Sequence, residues 1–122
     1  MASEEASAED RLIARHFRPL ATHPGALGLV DDAALIKPPE GRDFVLTVDA
    51  IVSGVHFFRE DAPGTVAQKV LRVNLSDLAA KGAGPIGYLL SLSLAPWAGD
   101  DWIAGFAAGF GEDQEQFAIS LL

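Results

Sequence analysis

Three aspartates stand in apolar surroundings where carboxylates are uncommon: Asp32 in VDDAALI, Asp49 in LTVDAIV and Asp77 in VNLSDLAA. Aspartate is depleted from strands and seldom buried without a partner. Burying one bare carboxylate costs several kcal/mol, and neighbouring ones repel. Nearby cations are few, with Lys37 and Arg42 on a turn and Lys69, Arg72 and Lys81 along a helical stretch. A hard divalent ion, which prefers carboxylate and carbonyl oxygen, answers the same need, and magnesium commonly takes one or two carboxylates plus substrate phosphates. The plainer alternative is that these residues cap helices and shape turns. That alternative fits Asp31 best, since one member of an Asp-Asp pair usually faces water. Spacing alone does not bring the three stretches together.

Other chemistry has little support. No G-x-x-x-x-G-K loop, G-x-G-x-x-G turn or G-x-S-x-G elbow is present. The 3 histidines, His16, His23 and His56, have no zinc-ligand spacing. Of these, only His56, just after the Asp49 segment, is placed to reach a site; a structural role for it stays open. The absence of cysteine excludes disulfides and thiolate chemistry. A net charge of −8 argues against a nucleic-acid partner while leaving phosphate substrates open through bridging cations.

The elements that must position these residues follow from periodicity. Residues 1–10 form an acidic, flexible lead-in. Leu12, Ile13, His16, Phe17 and Leu20 recur at helical spacing and predict a short amphipathic helix ending near Pro19. Leu29–Ile36 and Phe44–Val52 read as strands joined by the KPPEGRD turn. Pro63-Gly64-Thr65 opens a long helix that Gly82 ends. Gly87–Ala95 reads as a strand. Asp100 or Asp101 can cap a further helix whose buried stripe is Ile103, Phe106, Ala107 and Phe110. Phe117–Leu122 reads as a final strand. The order predicts an α/β (α+β) domain over residues 11–122, a mixed β-sheet flanked by helices. An apolar strand at the end predicts that covering structure is missing. With 49% hydrophobic residues, no apolar run of membrane-spanning length and no signal-peptide pattern in MASEEASAED, the expected location is cytoplasmic.

The segments GLVDDAALI, LTVDAIVSGVHF and KVLRVNLSDLAAKGAGP, in this order, resemble thiamine-monophosphate kinase. That family belongs to the aminoimidazole ribonucleotide synthetase superfamily, alongside the hydrogenase-maturation enzyme and selenophosphate synthetase. The resemblance implies ATP-dependent phosphorylation of thiamine monophosphate to thiamine diphosphate. Carried over by motif, Asp32, Thr47, Asp49 and Asp77 would be magnesium (Mg2+) ligands, and His56 would contact the thiamine phosphate; no residue is assigned a catalytic role. It also implies a homodimer formed through this domain. Two positions depart from the pattern: Val30 stands where a glycine is common, and Val48 where a threonine is. The second costs a ligand only if the position binds through its hydroxyl. The resemblance further implies that the family continues past SLL into a Gly-Gly-Asp-Thr segment and a second domain carrying most ATP contacts, so that this portion is inactive alone. The acidic segments suit any superfamily member, leaving a hydrogenase-maturation-type enzyme, or a non-catalytic binding and dimerisation fragment, as alternatives.

Overall fold

A computed structural model describes residues 6–122. The first five residues of the acidic lead-in lie outside the described residues; Ser7 and Asp10 already form a reciprocal capping box at the start of α1 (Ala8–Leu12). The Ser7 hydrogen bonds hold the Asp10 carboxyl below the usual carboxylate range. The chain stays helical beyond α1, through a wide π-type turn at Ile13–Phe17 and a tight 3₁₀ turn at Arg18–Leu20. The expected amphipathic helix is therefore present to Leu20, with Phe17 as its buried anchor.

Two long helices form the body. Helix α2 spans Pro63–Ala80, with proline at its first position, where the missing N–H would be unpaired anyway. Helix α3 spans Asp100–Phe117. Its N-cap is Gly99, with no side-chain cap; Asp100 and Asp101 lie in the first turn, where they face the positive end of the helix dipole rather than capping it. The α3 stripe is buried as expected and packs with Val66, Ala67 and Leu71 of α2, closed by Phe17, Ile119 and Leu121. The aromatic rings continue this packing: Phe106 meets Phe110 edge-on at 4.9 Å, and Tyr88 stacks on Phe110 at 5.2 Å. The helices approach closely because Gly64 faces Gly109; a Cβ on Gly109 would stand 2.3 Å from the Gly64 carbonyl oxygen.

The sheet is much smaller than expected. Strand β1 (Gly87–Tyr88) pairs in parallel with β2 (Ser120–Leu121), Gly87 opposite Ser120 and Tyr88 opposite Leu121. Parallel pairing requires a crossover, and α3 supplies it, giving one β–α–β unit. The expected final strand starts at Ser120, because Phe117 still belongs to α3 and Ala118 turns into the left-handed region (φ 53°). Residues 29–36 and 44–52 form no strands, correcting the mixed sheet, and residues 89–95 extend β1 without ladder pairing. A strand is held by a neighbouring strand that satisfies its N–H and C=O groups in a ladder, and those segments have only scattered bonds, such as Leu35 N–H to the Gly25 carbonyl at 2.8 Å. Several of their apolar side chains consequently face out, Leu46 at 88% and Val48 at 93% exposure, while Leu29, Ile51 and Leu90 pack against the core.

Candidate functional site

The site residues named from the sequence fall on three supports. Asp32 lies in an exposed turn with left-handed backbone (φ 60°), an arrangement aspartate tolerates better than most residues. Thr47 and Asp49 lie on the exposed, unpaired segment 44–52. Asp77 lies exposed on α2. The Asp49 side chain turns back on its own backbone, Oδ1 accepting the Ala50 N–H at 2.9 Å. The Asp49 carbonyl accepts a long 3.3 Å bond from Asn74 Nδ2, which also donates to the Val70 carbonyl at 2.8 Å. Asp49 is thereby laid beside the turn of α2 that precedes Asp77.

The expected convergence does not occur in this structure. Among the described residues no group of three or more His, Asp or Glu side chains comes together to hold a metal ion. The donor chemistry of Asp32, Thr47, Asp49 and Asp77 suits a hard cation, but their placement does not form its cage. The physical reason is the missing sheet: strand ends aim side chains only when the strands are paired.

Two of the cations named from the sequence, Arg72 and Lys69, are engaged elsewhere. Arg72 forks onto Asp113, with Nε to Oδ2 at 2.9 Å and Nη2 to Oδ1 at 2.8 Å. Asp113 is fully buried, and this bidentate pair is its answer to burial; the same hydrogen bond raises the Arg72 pKa. Lys69 Nζ donates to the His56 carbonyl. Beside the pair, Gln114 is a polar hub: Oε1 accepts the Tyr88 hydroxyl at 2.8 Å and the Leu121 N–H at 3.1 Å, while Nε2 donates to the Leu20 carbonyl at 2.9 Å. Burial, with the Asp113 charge adding to it, pushes the Tyr88 phenol above its ordinary pKa. Asp113 and Gln114 went unnoticed in the sequence, although adding three and four to Phe110 continues the buried stripe onto both.

His56 sits in a short built loop. Gly54 N–H donates to the Phe57 carbonyl at 2.8 Å, His56 N–H to the Val52 carbonyl at 2.8 Å, and Phe58 N–H to Asp61 Oδ2 at 2.8 Å. Val55, Phe57, Asp61 and Lys69 join His56 around a shallow cavity of about 260 Å³. A larger apolar groove, about 570 Å³, runs between α1, the 29–34 turn and residues 89–94, with Asp32 on its lining.

Residues 30–122 match the family described as AIR synthase related protein, N-terminal domain. The chain belongs to that family. This N-terminal AIR synthase-type domain is 50% identical over 114 residues to the thiamine-monophosphate kinase of Caulobacter vibrioides, covering 90% of this chain and 32% of that protein. It is 39% identical over 104 residues to the thiamine-monophosphate kinase of Escherichia coli K12 (84% and 32%) and 34% identical over 119 residues to that of Haemophilus influenzae (96% and 36%). The chain thus spans about a third of the length of these relatives. An AIR synthase-type domain agrees with the coarse α/β class, here helix-rich with a two-stranded parallel sheet. Among the described residues no helix is long and apolar enough to cross a membrane.

Proposed function

We propose that this domain is the metal- and phosphate-handling part of a cytoplasmic thiamine-monophosphate kinase, which moves the γ-phosphoryl group of ATP onto the phosphate of thiamine monophosphate. The observation that carries the reading is the 50% identity across 90% of the chain to a relative of that name. Phosphoryl transfer asks a protein chiefly for alignment and for neutralisation of phosphate charge. Exposed oxygen donors at Asp32, Thr47, Asp49 and Asp77 are suited to share magnesium ions with bound phosphates. Because the four are not gathered here, the proposal is that they meet only when nucleotide and metal are both present. His56 is proposed to contact the substrate phosphate.

A homodimer belongs to the same proposal. Segments 44–52 and 89–95 carry unpaired backbone and exposed Leu46, Val48, Leu89 and Leu94. Free strand edges with apolar side chains are templates for pairing with another chain. A second copy would supply the neighbours that the larger sheet needs.

Calorimetric titration of the chain with thiamine monophosphate, against other phosphate esters and with Mg2+–ATP present, tests the substrate. The expected result is preferential binding of thiamine monophosphate that weakens in Asp49→Ala and Asp77→Ala; equal binding of every phosphate ester would refute the assignment. No multiple turnover is expected from the 122-residue chain by itself. ATP consumption dependent on thiamine monophosphate and well above an Asp49→Ala control would overturn that expectation. A monomer in light scattering at tens of micromolar would count against the dimer.

A further inference from the structure

The ring of His56 carries information that its sequence position does not. Its Nδ1 lies 2.9 Å from the Val52 backbone nitrogen. A backbone N–H can only donate, so Nδ1 must present its lone pair, and the neutral ring carries its proton on Nε2. We propose that the Val52 amide locks His56 in this Nε2–H tautomer, so that the loop offers an incoming oxygen anion a hydrogen-bond donor, and neither a general base nor a metal ligand.

The loop is built to keep that lock. Val52 and His56 are joined twice, since His56 N–H returns to the Val52 carbonyl at 2.8 Å, making a closed ring of two hydrogen bonds. Lys69 of α2 holds the His56 carbonyl from outside. Three residues on, the Arg59 guanidinium lies 5.4 Å from the centre of the Trp97 ring, tying the far side of the loop to the turn before α3. The nitrogen left over, Nε2, is on an exposed side chain beside the Lys69- and Asp61-lined cavity. With a proton on it, Nε2 has no lone pair with which to accept a proton or bind a cation. A phosphate oxygen, rich in lone pairs and poor in protons, is the complementary partner. This last step rests on the proposed contact between His56 and the substrate phosphate; the tautomer does not.

Nitrogen NMR of the ¹⁵N-labelled 122-residue chain under mildly alkaline conditions tests the inference, with His56→Gln identifying which of the 3 imidazoles is lost. The expected spectrum shows the His56 proton on Nε2 and a through-hydrogen-bond coupling between the Val52 amide nitrogen and Nδ1. A proton on Nδ1, or the averaged pattern of a freely exchanging imidazole, overturns the lock. Val52→Pro, which deletes the donor, should release the ring to a mixture of tautomers. If that variant folds and keeps the pure Nε2–H form, the amide is not the cause and the inference falls. Adding thiamine monophosphate should then move the Nε2 resonance. No movement would remove the substrate contact while leaving the tautomer assignment intact, so the two claims fail separately.

Discussion

The close crossing of α2 and α3 makes the sharpest prediction. Gly109→Ala would place a methyl group 2.3 Å from the Gly64 carbonyl oxygen, 2.6 Å from its Cα and 2.8 Å from its carbonyl carbon. All three obstacles are backbone, so no side chain can swing aside, and α2 and α3 must part by about 1 Å to restore ordinary contact. Overpacking of this kind costs about 1–3 kcal/mol. Replacing glycine inside a helix returns about 0.5–1 kcal/mol. The net expectation is a loss of about 1–2 kcal/mol, or roughly 3–10 °C in melting temperature for a chain of this size. Gly111→Ala is the internal control: its methyl would meet only Leu20 Cδ2, at 3.6 Å, an ordinary contact. There the helix gain stands alone, and the midpoint should rise by about 2–5 °C. Gly105→Ala, facing the Pro63 ring at 2.7 Å, should fall between them. Thermal unfolding followed by near-ultraviolet circular dichroism measures all three. If Gly109→Ala melts at or above the parent chain, the close helix crossing is not the constraint argued here.

Three further outcomes follow from the polar groups. Replacing Arg72 by Met leaves Asp113 buried without its fork, so that variant should unfold at lower urea than the double replacement Arg72→Met with Asp113→Leu, which removes both charges; the reverse order would show the pair to be incidental. The chain has 1 tyrosine, and burial raises its pKa. Its phenol is thus favoured in the protonated form when folded; this stabilisation is complete below the unfolded value of about 10 and is lost as pH climbs through the folded one. Phenolate absorbance should therefore appear later than for free tyrosine and together with unfolding, and early, independent ionisation would contradict the burial. Asp100 accepts a 2.8 Å hydrogen bond from His16 Nε2, which depresses its pKa, with Arg15 reinforcing the effect. Its contribution is present above about pH 4 and disappears as pH falls through the lowered folded value. Asp100→Asn should flatten the acid side of the melting curve, and an unchanged acid slope would dismiss the interaction.

The helices were legible because their signals are local. Pro63 fixes the start of α2, and the spacing of Ile103, Phe106, Ala107 and Phe110 gives both the existence of α3 and its buried face. The strands were less so, since a strand pattern says that a segment would pair and not that a neighbour exists. Residues 44–52 have the composition of a strand and no partner, whereas Tyr88 and Leu121 find each other across α3. The same distinction governs the candidate site. Residue type and family resemblance single out Asp32, Thr47, Asp49, Asp77 and His56, but aiming their side chains is a property of tertiary pairing. Arg72 shows the converse: read as a possible counter-ion for the acidic segments, it serves a buried aspartate 41 positions away.

The Leu20–Gln114–Ser120 region sets a schedule for biosynthesis. The Ser120 hydroxyl receives the Thr22 and His23 amides, each at 3.0 Å, and Gln114 reaches back 94 positions to Leu20. Ile119 and Leu121 are themselves core residues. While the ribosome is still making α3, the Leu20–His23 stretch lacks Gln114 and Ser120, and β1 has no mate. Such long sequence separations slow folding and leave apolar surface open in the meantime. The nascent chain therefore passes through a stage in which Leu20–His23 and β1 stand without these partners, and that stage lasts until residue 121 clears the exit tunnel.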